Sequence, residues 1–461
     1  MKAGRFLWVF AVAILIALSS AVQAQDSRPT GEYRLGADRI ARMEQIIDSF
    51  ATAKQFMGAV LVAEDGRVVL DKSYGFANVE WQVPNTAQSK FRLGSITKQF
   101  TAASILLLEQ QGKLSTDDLV KKYMPDAPAA WDKITIYHVL THTSGIPSFT
   151  GFSDYHANEV KSYTPEQLVA WFKDKPLEFQ PGTDWRYSNS GYVLLGYLIE
   201  KISARSYAQF VRDNIFDPLG MKDTGYDAFT EIIPHRAAGY RNGPNGLENA
   251  PYIDMSIPLS AGALYSTTHD LLKWEQALFG GKLLNAAELK KMTTPFKQDY
   301  ACGLMILKGP NGHSMITHGG GIEGFNTAMA YYPDNKLTVV ALGNLNGDAP
   351  DEIANKLGMT AYGEKVVLNS ERKEMVVDPA LLAEYVGTYK LAPNFDLAIT
   401  IEGKQLMSQA TGQPKVPLFA ESPTKFFLKV VDAQVEFFKE GGKVTYLVLH
   451  QNGHDTKAMK Q

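Results

Sequence analysis

The apolar residues near the start of this chain recur at helical spacing and then give way to short continuous runs. Between residues 38 and 50, apolar side chains return every three or four positions, which predicts an amphipathic helix. The apolar run 59–63, the turn residues Glu64-Asp65-Gly66 and the run 68–70 together predict a β-hairpin. The chain therefore opens with a helix followed by two strands.

Short strand-like runs return after Gly303, at residues 304–307, 314–318, 327–332 and 337–342. The segment between the two groups of strands is mainly helical, and a further helix is predicted from Pro350 to about Tyr362. These elements predict an α+β fold in which both chain ends form one antiparallel sheet, with helices on both faces and a helical lobe beside it. A cleft between the sheet and the lobe is the expected place for a site.

The pattern changes after the charged connector 371–374, where short strands alternate with turn residues. Eight strands are predicted, at residues 385–390, 397–401, 405–409, 416–419, 425–430, 434–438, 444–450 and 456–459. This pattern is typical of a small up-and-down β-barrel. Such a barrel either holds a ligand or is filled by its own side chains, and both alternatives stay open. A further hypothesis is that the barrel narrows the cleft and selects small peptides.

The main candidate for chemistry is Ser95-Ile96-Thr97-Lys98, at the head of a long apolar helical run. Residues three apart share a helix face, so the amine of Lys98 can reach the hydroxyl of Ser95 and accept its proton. The same spacing occurs at 370–373 and 422–425, in a charged connector and in a strand-like region. We interpret those two copies as surface coincidences, so Ser95 is the predicted nucleophile.

Two further motifs follow in order. Tyr187-Ser188-Asn189 places a phenol and an amide two residues apart in a predicted loop, and a second copy of the pattern at 240–242 lies in a Gly- and Asn-rich stretch. His318-Gly319-Gly320-Gly321 is expected to end the strand that begins at Ser314, and its glycines allow close approach of a ligand to the backbone. The order of the three motifs distinguishes them from the isolated copies.

The ordered motifs S-x-x-K, Y-x-N and H-x-G resemble those of the serine β-lactamase and penicillin-binding protein superfamily, in particular its class C β-lactamase-like branch. That branch includes D-aminopeptidases, D-alanyl-D-alanine carboxypeptidases and esterases. The resemblance covers roughly residues 30–365 and includes the flanking segments 139–147, 216–221 and 260–267. It implies the β-lactamase/transpeptidase-like fold. In the tail, Tyr385-Val386-Gly387-Thr388-Tyr389 resembles the opening of lipocalin-like modules.

The resemblance also implies roles for the motif residues. Ser95 is acylated by an amide or ester carbonyl, Lys98 and Tyr187 shuttle protons, and Asn189 orients the lysine and the substrate. The backbone N–H groups of Ser95 and Gly321 form the oxyanion hole. The substrate-binding residues it implies are Asn189, His318, Gly320 and Gly321. No cofactor and no metal are implied.

Two departures from the family pattern bear on the substrate. His318 stands where β-lactamases usually carry lysine, and Gly319 stands where many members carry threonine. A histidine is mostly neutral near pH 7, so the anchor for an anionic substrate is weakened. This favours peptidase or esterase activity over hydrolysis of penicillins. Since no glutamate base of the class A type is identified, deacylation is assigned to Tyr187 and Lys98.

The expected function is therefore an exported serine hydrolase that cleaves D-amino-acid peptides or small esters through an acyl-enzyme. A slow-turnover penicillin-binding protein or peptidoglycan-fragment sensor is the alternative, and transport of an apolar ligand by the barrel alone ranks last. No G-x-S-x-G motif indicates an α/β-hydrolase. His138 and His142 have the spacing of a zinc helix but lack the glutamate of H-E-x-x-H, so no metal site is expected.

The amino terminus predicts export. Lys2 and Arg5 precede the apolar run 6–18 and the small residues 19–24, which is the pattern of a secretory signal peptide. We expect a signal peptide at 1–24, a β-lactamase-related domain at 25–370 and a lipocalin-like barrel at 371–461. No cysteine lies near the cleavage point, so no lipid anchor is expected there. The predicted location is outside the cytoplasm, in a bacterial periplasm, with no membrane span after cleavage.

The composition of the chain limits the classes of molecule that it is expected to bind. The 461-residue chain has a net charge of −3 and no basic cluster, which argues against nucleic acid as a partner and favours a small molecule or short peptide. Cys302 is the only cysteine, so no intramolecular disulfide forms and stability must come from burial of the 45% of hydrophobic residues. The sequence does not specify an oligomeric state.

Overall fold

The computed structural model describes residues 34–451 and 454–461. The predicted signal peptide at 1–24 lies outside these described residues. Within them, the helices are too short or too polar to cross a bilayer.

A six-stranded antiparallel sheet forms the centre of the fold, and both ends of the first domain contribute to it, as predicted. In spatial order its strands are Met305–Lys308, Ser314–Ile322, Phe325–Tyr332, Leu337–Gly343, Gly58–Glu64 and Arg67–Tyr74. Every residue of Gly58–Glu64 and of Leu337–Gly343 is buried. Because successive side chains point to opposite faces of a sheet, both faces must be covered.

Helices cover the two faces. Leu272, in the helix Thr268–Phe279, packs against Leu61 and Ala63 on one face. The helices Ala37–Thr52 and Ala349–Ala361 contact each other and the sheet. Gly343 lies against Pro350 and belongs to the alternate set of side-chain positions, so these two helices cover the opposite face. The predicted α+β layers are confirmed, including the helix expected from 350 to 362.

A helical lobe lies between the two groups of sheet strands in the sequence. Its helices are Thr97–Gln110, Ile136–Leu140, Tyr155–Asn158, Pro165–Phe172, Asn189–Ser203, Tyr207–Val211, Asp217–Leu219, Leu259–Gly262 and Ala286–Met292. Short strands connect them: Phe76–Asn78 with Val83–Pro84, Tyr240–Gly243 with Gly246–Asn249, and Phe91–Arg92 with Gly225–Tyr226 and Leu264–Ser266. Phe100 on the long helix packs against Trp274 and Phe216 and anchors it to its surroundings.

The strand that carries the third motif is longer than the sequence pattern predicts. The expected end at His318 is wrong, because the strand Ser314–Ile322 continues through the three glycines and pairs with Phe325–Tyr332 as far as Ile322 opposite Phe325. Glycine runs usually weaken a strand. Here the missing side chains let the strand contact the turn that contains Ser95, and this contact compensates for the low strand propensity.

The tail forms a closed barrel of eight strands, as predicted. The strands are Gly387–Ala392, Phe395–Glu402, Gln405–Ala410, Val416–Ala420, Lys425–Phe427, Ala433–Glu440, Lys443–Gln451 and His454–Lys460. Pairing of Tyr389 with Lys460 closes the barrel. The helix Pro379–Tyr385 contributes Tyr385 to an aromatic core, in which its ring stacks on Phe437 at a centroid distance of 4.2 Å.

Contacts join the barrel to the first domain on the face of the sheet that is covered by the helices Ala37–Thr52 and Ala349–Ala361. Lys356 Nζ lies 2.7 Å from Asp432 Oδ2 of the barrel, and Gln55 Nε2 donates to the carbonyl of Val430 at 2.9 Å. Lys356 belongs to the helix Ala349–Ala361, and Gln55 follows the helix Ala37–Thr52. The barrel therefore rests against these two helices.

Candidate active site

Ser95 and Lys98 meet at the start of the long buried helix. Ser95 lies in a single 3₁₀ turn, Gly94–Ile96, which continues directly into the helix Thr97–Gln110. The Nζ atom of Lys98 lies 3.0 Å from the Oγ atom of Ser95. Ser95 is half-buried, whereas Lys98 is completely buried. The predicted nucleophile and base are thus within hydrogen-bonding distance.

The amine of Lys98 has two more neighbours, and both are hydrogen-bond acceptors. Asn189 Oδ1 lies 2.9 Å from Nζ, and the carbonyl of Ala261 lies 2.8 Å away. A neutral amine has two N–H groups and one lone pair. Because the amide oxygen and the carbonyl can only accept, they take the two N–H groups, and the lone pair faces the hydroxyl of Ser95. This is the arrangement that a proton acceptor requires.

Electrostatics favour the neutral amine. Burial holds the pKa of Lys98 well below its usual value. In the described part of the chain no carboxylate forms an ion pair with Lys98, and its close partners are the uncharged groups of Ser95, Asn189 and Ala261. A buried lysine without a counter-ion loses its proton more readily than an exposed one, so this lysine is suited to act as a base.

Asn189 is held in the orientation that the lysine needs. It is the first residue of the helix Asn189–Ser203, and its backbone N–H donates to Ser148 Oγ at 3.1 Å. Its Nδ2 group donates to Thr150 Oγ1 at 3.2 Å, which turns Oδ1 toward Lys98. The sequence pattern predicted a loop followed by a helical run, and Tyr187 and Ser188 do lie in a loop, whereas Asn189 already begins the helix.

Tyr187 lies over the lysine. The Nζ atom of Lys98 is 4.8 Å from the centroid of the Tyr187 ring, and the phenol interacts with the side chain of Ser95. The ring also packs against His142, with centroids 4.4 Å apart. Burial raises the pKa of Tyr187, so the phenol is protonated at neutral pH and can donate its proton.

The glycine strand is in direct contact with the turn of Ser95. A Cβ atom on Gly320 would lie 2.0 Å from the carbonyl oxygen of Leu93 and 3.0 Å from the backbone nitrogen of Ser95. Thr327, on the neighbouring strand, donates to the same Leu93 carbonyl at 2.7 Å. The absence of a side chain at Gly320 therefore lets this strand approach the turn of Ser95 more closely than any larger residue would allow. As a result, the backbone of Gly321 lies beside the backbone of Ser95.

His318 is buried behind this strand contact. Its Nδ1 atom lies 2.6 Å from the carbonyl of Gly319, so Nδ1 carries the proton and Nε2 accepts from the hydroxyl of Tyr300 at 3.1 Å. Burial lowers the pKa of His318 to about 4. The imidazole is therefore neutral near pH 7 and provides no positive charge.

A cleft of about 110 Å³ opens beside the nucleophile. Ser95, Asn189 and Gly321 line it, together with Thr150 and Ala261. Among the described residues, those that line this cleft all precede residue 324, so the barrel contributes none of them. The hypothesis that the barrel narrows the cleft gains no support from this arrangement.

The cleft also contains residues that the sequence did not identify. Its apolar wall is formed by Phe149, Ile253, Ile257 and Ile322, and its polar groups include Tyr155 and Glu323. Of the predicted residues, Lys98, Tyr187, Gly320 and His318 lie behind the lining. Spacing along the chain gave no signal for Ala261 or Glu323, because their positions depend on folding of distant segments.

The isolated motif copies lie elsewhere. Ser370 is exposed on a short 3₁₀ turn, and Tyr240 donates its hydroxyl to Glu80. His138 caps its own helix by accepting from the backbone N–H of Thr135, and His142 is buried under the ring of Tyr187. The ordered copies are the ones that the fold brings together.

Comparison with known proteins agrees with this geometry. A family model described as Beta-lactamase matches residues 43–363. The chain belongs to the β-lactamase family. Residues 371–460, which include the barrel of this β-lactamase-family protein, match a second model described as a domain of unknown function.

Relatives extend over most of the chain. Penicillin-binding protein 4* of Bacillus subtilis (strain 168) is 30% identical over 443 residues, which is 91% of this chain and 98% of that protein. The structure of an octameric penicillin-binding protein homologue from Pyrococcus abyssi covers 91% of this chain and 100% of its own, at 26% identity and a TM-score of 0.65. A D-stereospecific amidohydrolase from Streptomyces sp. covers 66% of this chain and 94% of its own, at 29% identity and a TM-score of 0.57.

Proposed function

We propose that this protein is an exported serine hydrolase that cleaves amide or ester bonds through an acyl-enzyme formed on Ser95. The observation that carries the proposal is the completely buried Lys98, whose Nζ atom lies 3.0 Å from the Oγ atom of Ser95. Nucleophilic catalysis by serine requires an adjacent group that accepts the hydroxyl proton. Membership of the β-lactamase family supports a hydrolase.

The steps follow from the contacts. The proton of Ser95 passes to the amine of Lys98 while Oγ forms a bond to the carbonyl carbon. The oxyanion accepts from the backbone N–H groups of Ser95 and Gly321, and the bond to the leaving group breaks as a proton reaches that group through Tyr187. Water then attacks the acyl-enzyme, with Tyr187 and Lys98 as the base, and releases the acid and free Ser95.

The substrate class that we propose is D-amino-acid peptides or small esters. His318 is neutral and is used in hydrogen bonds to Tyr300 and Gly319, so it provides no cation for a substrate carboxylate. Drug-sized ligands occupy pockets of roughly 300–1,000 Å³, and the cleft of about 110 Å³ suits a smaller acyl group. Similarity to the D-stereospecific amidohydrolase supports the same class.

The proposal includes the division of the chain into a signal peptide and two domains. We retain the signal peptide at 1–24, the hydrolase domain at 25–370 and the lipocalin-like barrel at 371–461. Secretion, into a bacterial periplasm, rests on the basic and apolar pattern before residue 25. Detection of a mature protein that begins at Gln25 in an extracytoplasmic fraction tests it.

The direct test is intact-protein mass after exposure to a fluorophosphonate. The wild type is expected to gain one adduct, and Ser95→Ala is expected to gain none. Ser370→Ala is the matched control, because Ser370 has the same spacing to a lysine but lies exposed on the surface. Labelling that persists in Ser95→Ala contradicts the assignment of the nucleophile.

A slow-turnover penicillin-binding protein is the second candidate, and the similarity to Penicillin-binding protein 4* favours it. Benzylpenicillin separates the two functions. An adduct on Ser95 that persists for hours supports the penicillin-binding or sensor function. Rapid turnover of D-amino-acid amides or esters without a persistent penicillin adduct supports the hydrolase.

A further inference from the structure

Glu323 lies in the same cleft as the nucleophile, and the proposed reaction does not use it. It occupies the tight turn between the strands Ser314–Ile322 and Phe325–Tyr332 and lines the cleft together with Ser95. Its carboxylate oxygen Oε2 is buried and has no hydrogen-bond partner among residues 34–451 and 454–461. A buried carboxylate oxygen without a partner is costly, so it indicates a site for a ligand with a matching donor.

The turn that carries Glu323 is held rigidly. Asn346 Oδ1 accepts from the backbone N–H of Gly324 at 2.7 Å, and its Nδ2 group donates to the carbonyl of Ile322 at 3.0 Å. The same Nδ2 group lies 2.8 Å from Asn326 Oδ1. One side chain therefore fixes the backbone on both sides of Glu323. A carboxylate on such a support is preorganised for binding.

A second acidic group reinforces the negative charge. Glu159 is 8% exposed, and its Oε2 atom also lacks a hydrogen-bond partner within the described chain. Glu159 and Glu323 are close enough for their charges to interact, and both act on the phenol of Tyr155, which lines the cleft. The unpartnered oxygen of Glu323 lines the cleft, and the negative charge of nearby Glu159 adds to its own, so this part of the cleft attracts a cation.

The basic groups near Glu323 are paired with other carboxylates. Arg92 is paired with Asp227, with Nε 2.6 Å from Oδ2. His156 is largely exposed, and its Nδ1 atom lies 3.1 Å from the Oε1 atom of Glu159. Burial raises the pKa of Glu323, as does the charge of Glu159, whereas a hydrogen bond from its own backbone N–H and the charges of Arg92 and His156 lower it. A cationic ligand would offset both the burial of the Glu323 carboxylate and its repulsion by Glu159.

We propose that Glu323 is a specificity-determining residue that binds the free α-ammonium group of the substrate. The inference rests on the proposed function and narrows it to amides, peptides or esters with an unblocked amino-terminal residue. The ammonium donates to the Glu323 carboxylate, the side chain contacts Ile253 and Ile322, and the carbonyl faces Ser95. The subsite thus replaces the cationic anchor for a substrate carboxylate, which neutral His318 does not provide.

The test compares D-alanine p-nitroanilide with its N-acetyl derivative, which lacks the positive charge. The wild type is expected to cleave the free amine with a kcat/KM about tenfold or more above that of the acetylated compound. Glu323→Gln is expected to remove this preference by lowering kcat/KM for the free amine alone. Glu440→Gln is the matched control, because Glu440 also precedes a glycine in a hairpin turn but lies exposed in the barrel.

Protection against fluorophosphonate labelling provides a readout that does not need turnover. D-phenylalanine amide is expected to slow labelling of wild-type Ser95 more than N-acetyl-D-phenylalanine amide does, and to lose this advantage in Glu323→Gln. Equal protection by both amides, or an unchanged preference in Glu323→Gln, overturns the subsite while Ser95 labelling leaves the hydrolase proposal standing. Absence of Ser95 labelling overturns the hydrolase proposal itself.

Discussion

The Nζ atom of Lys98 lies 3.0 Å from the Oγ atom of Ser95, and the lysine side chain is completely buried. The amine also faces Asn189 Oδ1 and the carbonyl of Ala261, and both are uncharged acceptors. Burial lowers the pKa of Lys98 without a compensating carboxylate. A base at this position needs that environment, because a carboxylate partner would keep the amine protonated.

Replacement of Asn189 by aspartate tests this environment. Only the neutral amine accepts a proton, so kcat/KM should fall as the pH drops through the pKa of Lys98. A carboxylate at the position of Oδ1 stabilises the ammonium and raises that pKa, so the acidic limb of the pH profile of Asn189→Asp should move to higher pH by about one to three units. Fluorophosphonate labelling rates as a function of pH measure the shift.

Asn189→Ala is the control for this prediction. It removes the same acceptor from Lys98 without adding a charge. We expect slower labelling in Asn189→Ala, with no upward shift of the acidic limb. An equal upward shift in both variants would mean that the charge state of Lys98 does not control the profile.

Removal of the Tyr187 hydroxyl should slow turnover. Tyr187→Phe keeps the ring packed on His142 but removes the hydroxyl that interacts with Ser95 and that we propose carries a proton to the leaving group. We expect kcat to fall by about 100-fold or more, as is typical when a proton-transfer group is lost. Tyr240→Phe, at the second copy of the motif, should retain activity and lose thermal stability, because its hydroxyl bonds to Glu80. Full turnover in Tyr187→Phe would contradict its role.

An alanine substitution should be destabilising at Gly320 but tolerated at Gly321. In Gly320→Ala the new Cβ would lie 2.0 Å from the carbonyl of Leu93, so we expect a loss of about 1–3 kcal/mol in the free energy of unfolding and slower labelling of Ser95. In Gly321→Ala the nearest atom would be Asn326 Nδ2 at 3.5 Å, which is ordinary contact. Thermal melts of the two variants measure the difference, and equal melting temperatures would refute the contact.

His318 should make stability depend on pH in a defined window. Its pKa is about 4 in the folded protein against 6.5 in the unfolded chain, so the unfolded state binds more protons between these values. The favourable contribution is complete above about pH 6.5 and is lost as the pH falls toward 4, by up to roughly 3 kcal/mol. The melting temperature of His318→Gln should fall less over this range than that of the wild type.

The half-buried His313 provides the control for that measurement. His313→Gln should retain the wild-type dependence on pH, because this imidazole lies on the surface beside Asp334. A dependence in His318→Gln as steep as in the wild type would show that other groups account for acid destabilisation.

Deletion of residues 371–461 should leave substrate preference unchanged and reduce stability. The described barrel residues do not line the cleft, but Asp432 holds Lys356 at 2.7 Å and Val430 accepts from Gln55. Ratios of kcat/KM across a substrate series, together with the melting temperature, measure the two effects. A changed substrate preference would restore the hypothesis that the barrel narrows the cleft. Asp432→Ala in the full chain tests the stability contribution separately.

The local patterns in the sequence were sufficient to predict the sheet, helix and barrel layers of the fold. Apolar residues at helical spacing predicted the covering helices, and short apolar runs bounded by turn residues predicted the antiparallel sheet and the eight-stranded barrel, because both patterns reflect which side chains face a core. The pair Ser95 and Lys98 was also predictable, since both belong to one helical turn. The pattern failed at His318, where the strand continues through glycines that have low strand propensity.

Tertiary structure alone decided the environment of the predicted pair and the shape of the cleft. Ala261 and Glu323 reach the site from segments more than a hundred residues beyond Ser95, and although both lie in or near segments that resemble the family, the sequence assigned neither residue a role in the site. The neutral states of Lys98 and His318 likewise depend on burial by distant side chains, which spacing does not encode. The sequence by itself determined the reactive groups and their order, because those are local properties. Folding determined their charge, their partners and the acidic Glu323 in the cleft, because those depend on contacts between residues far apart in the chain.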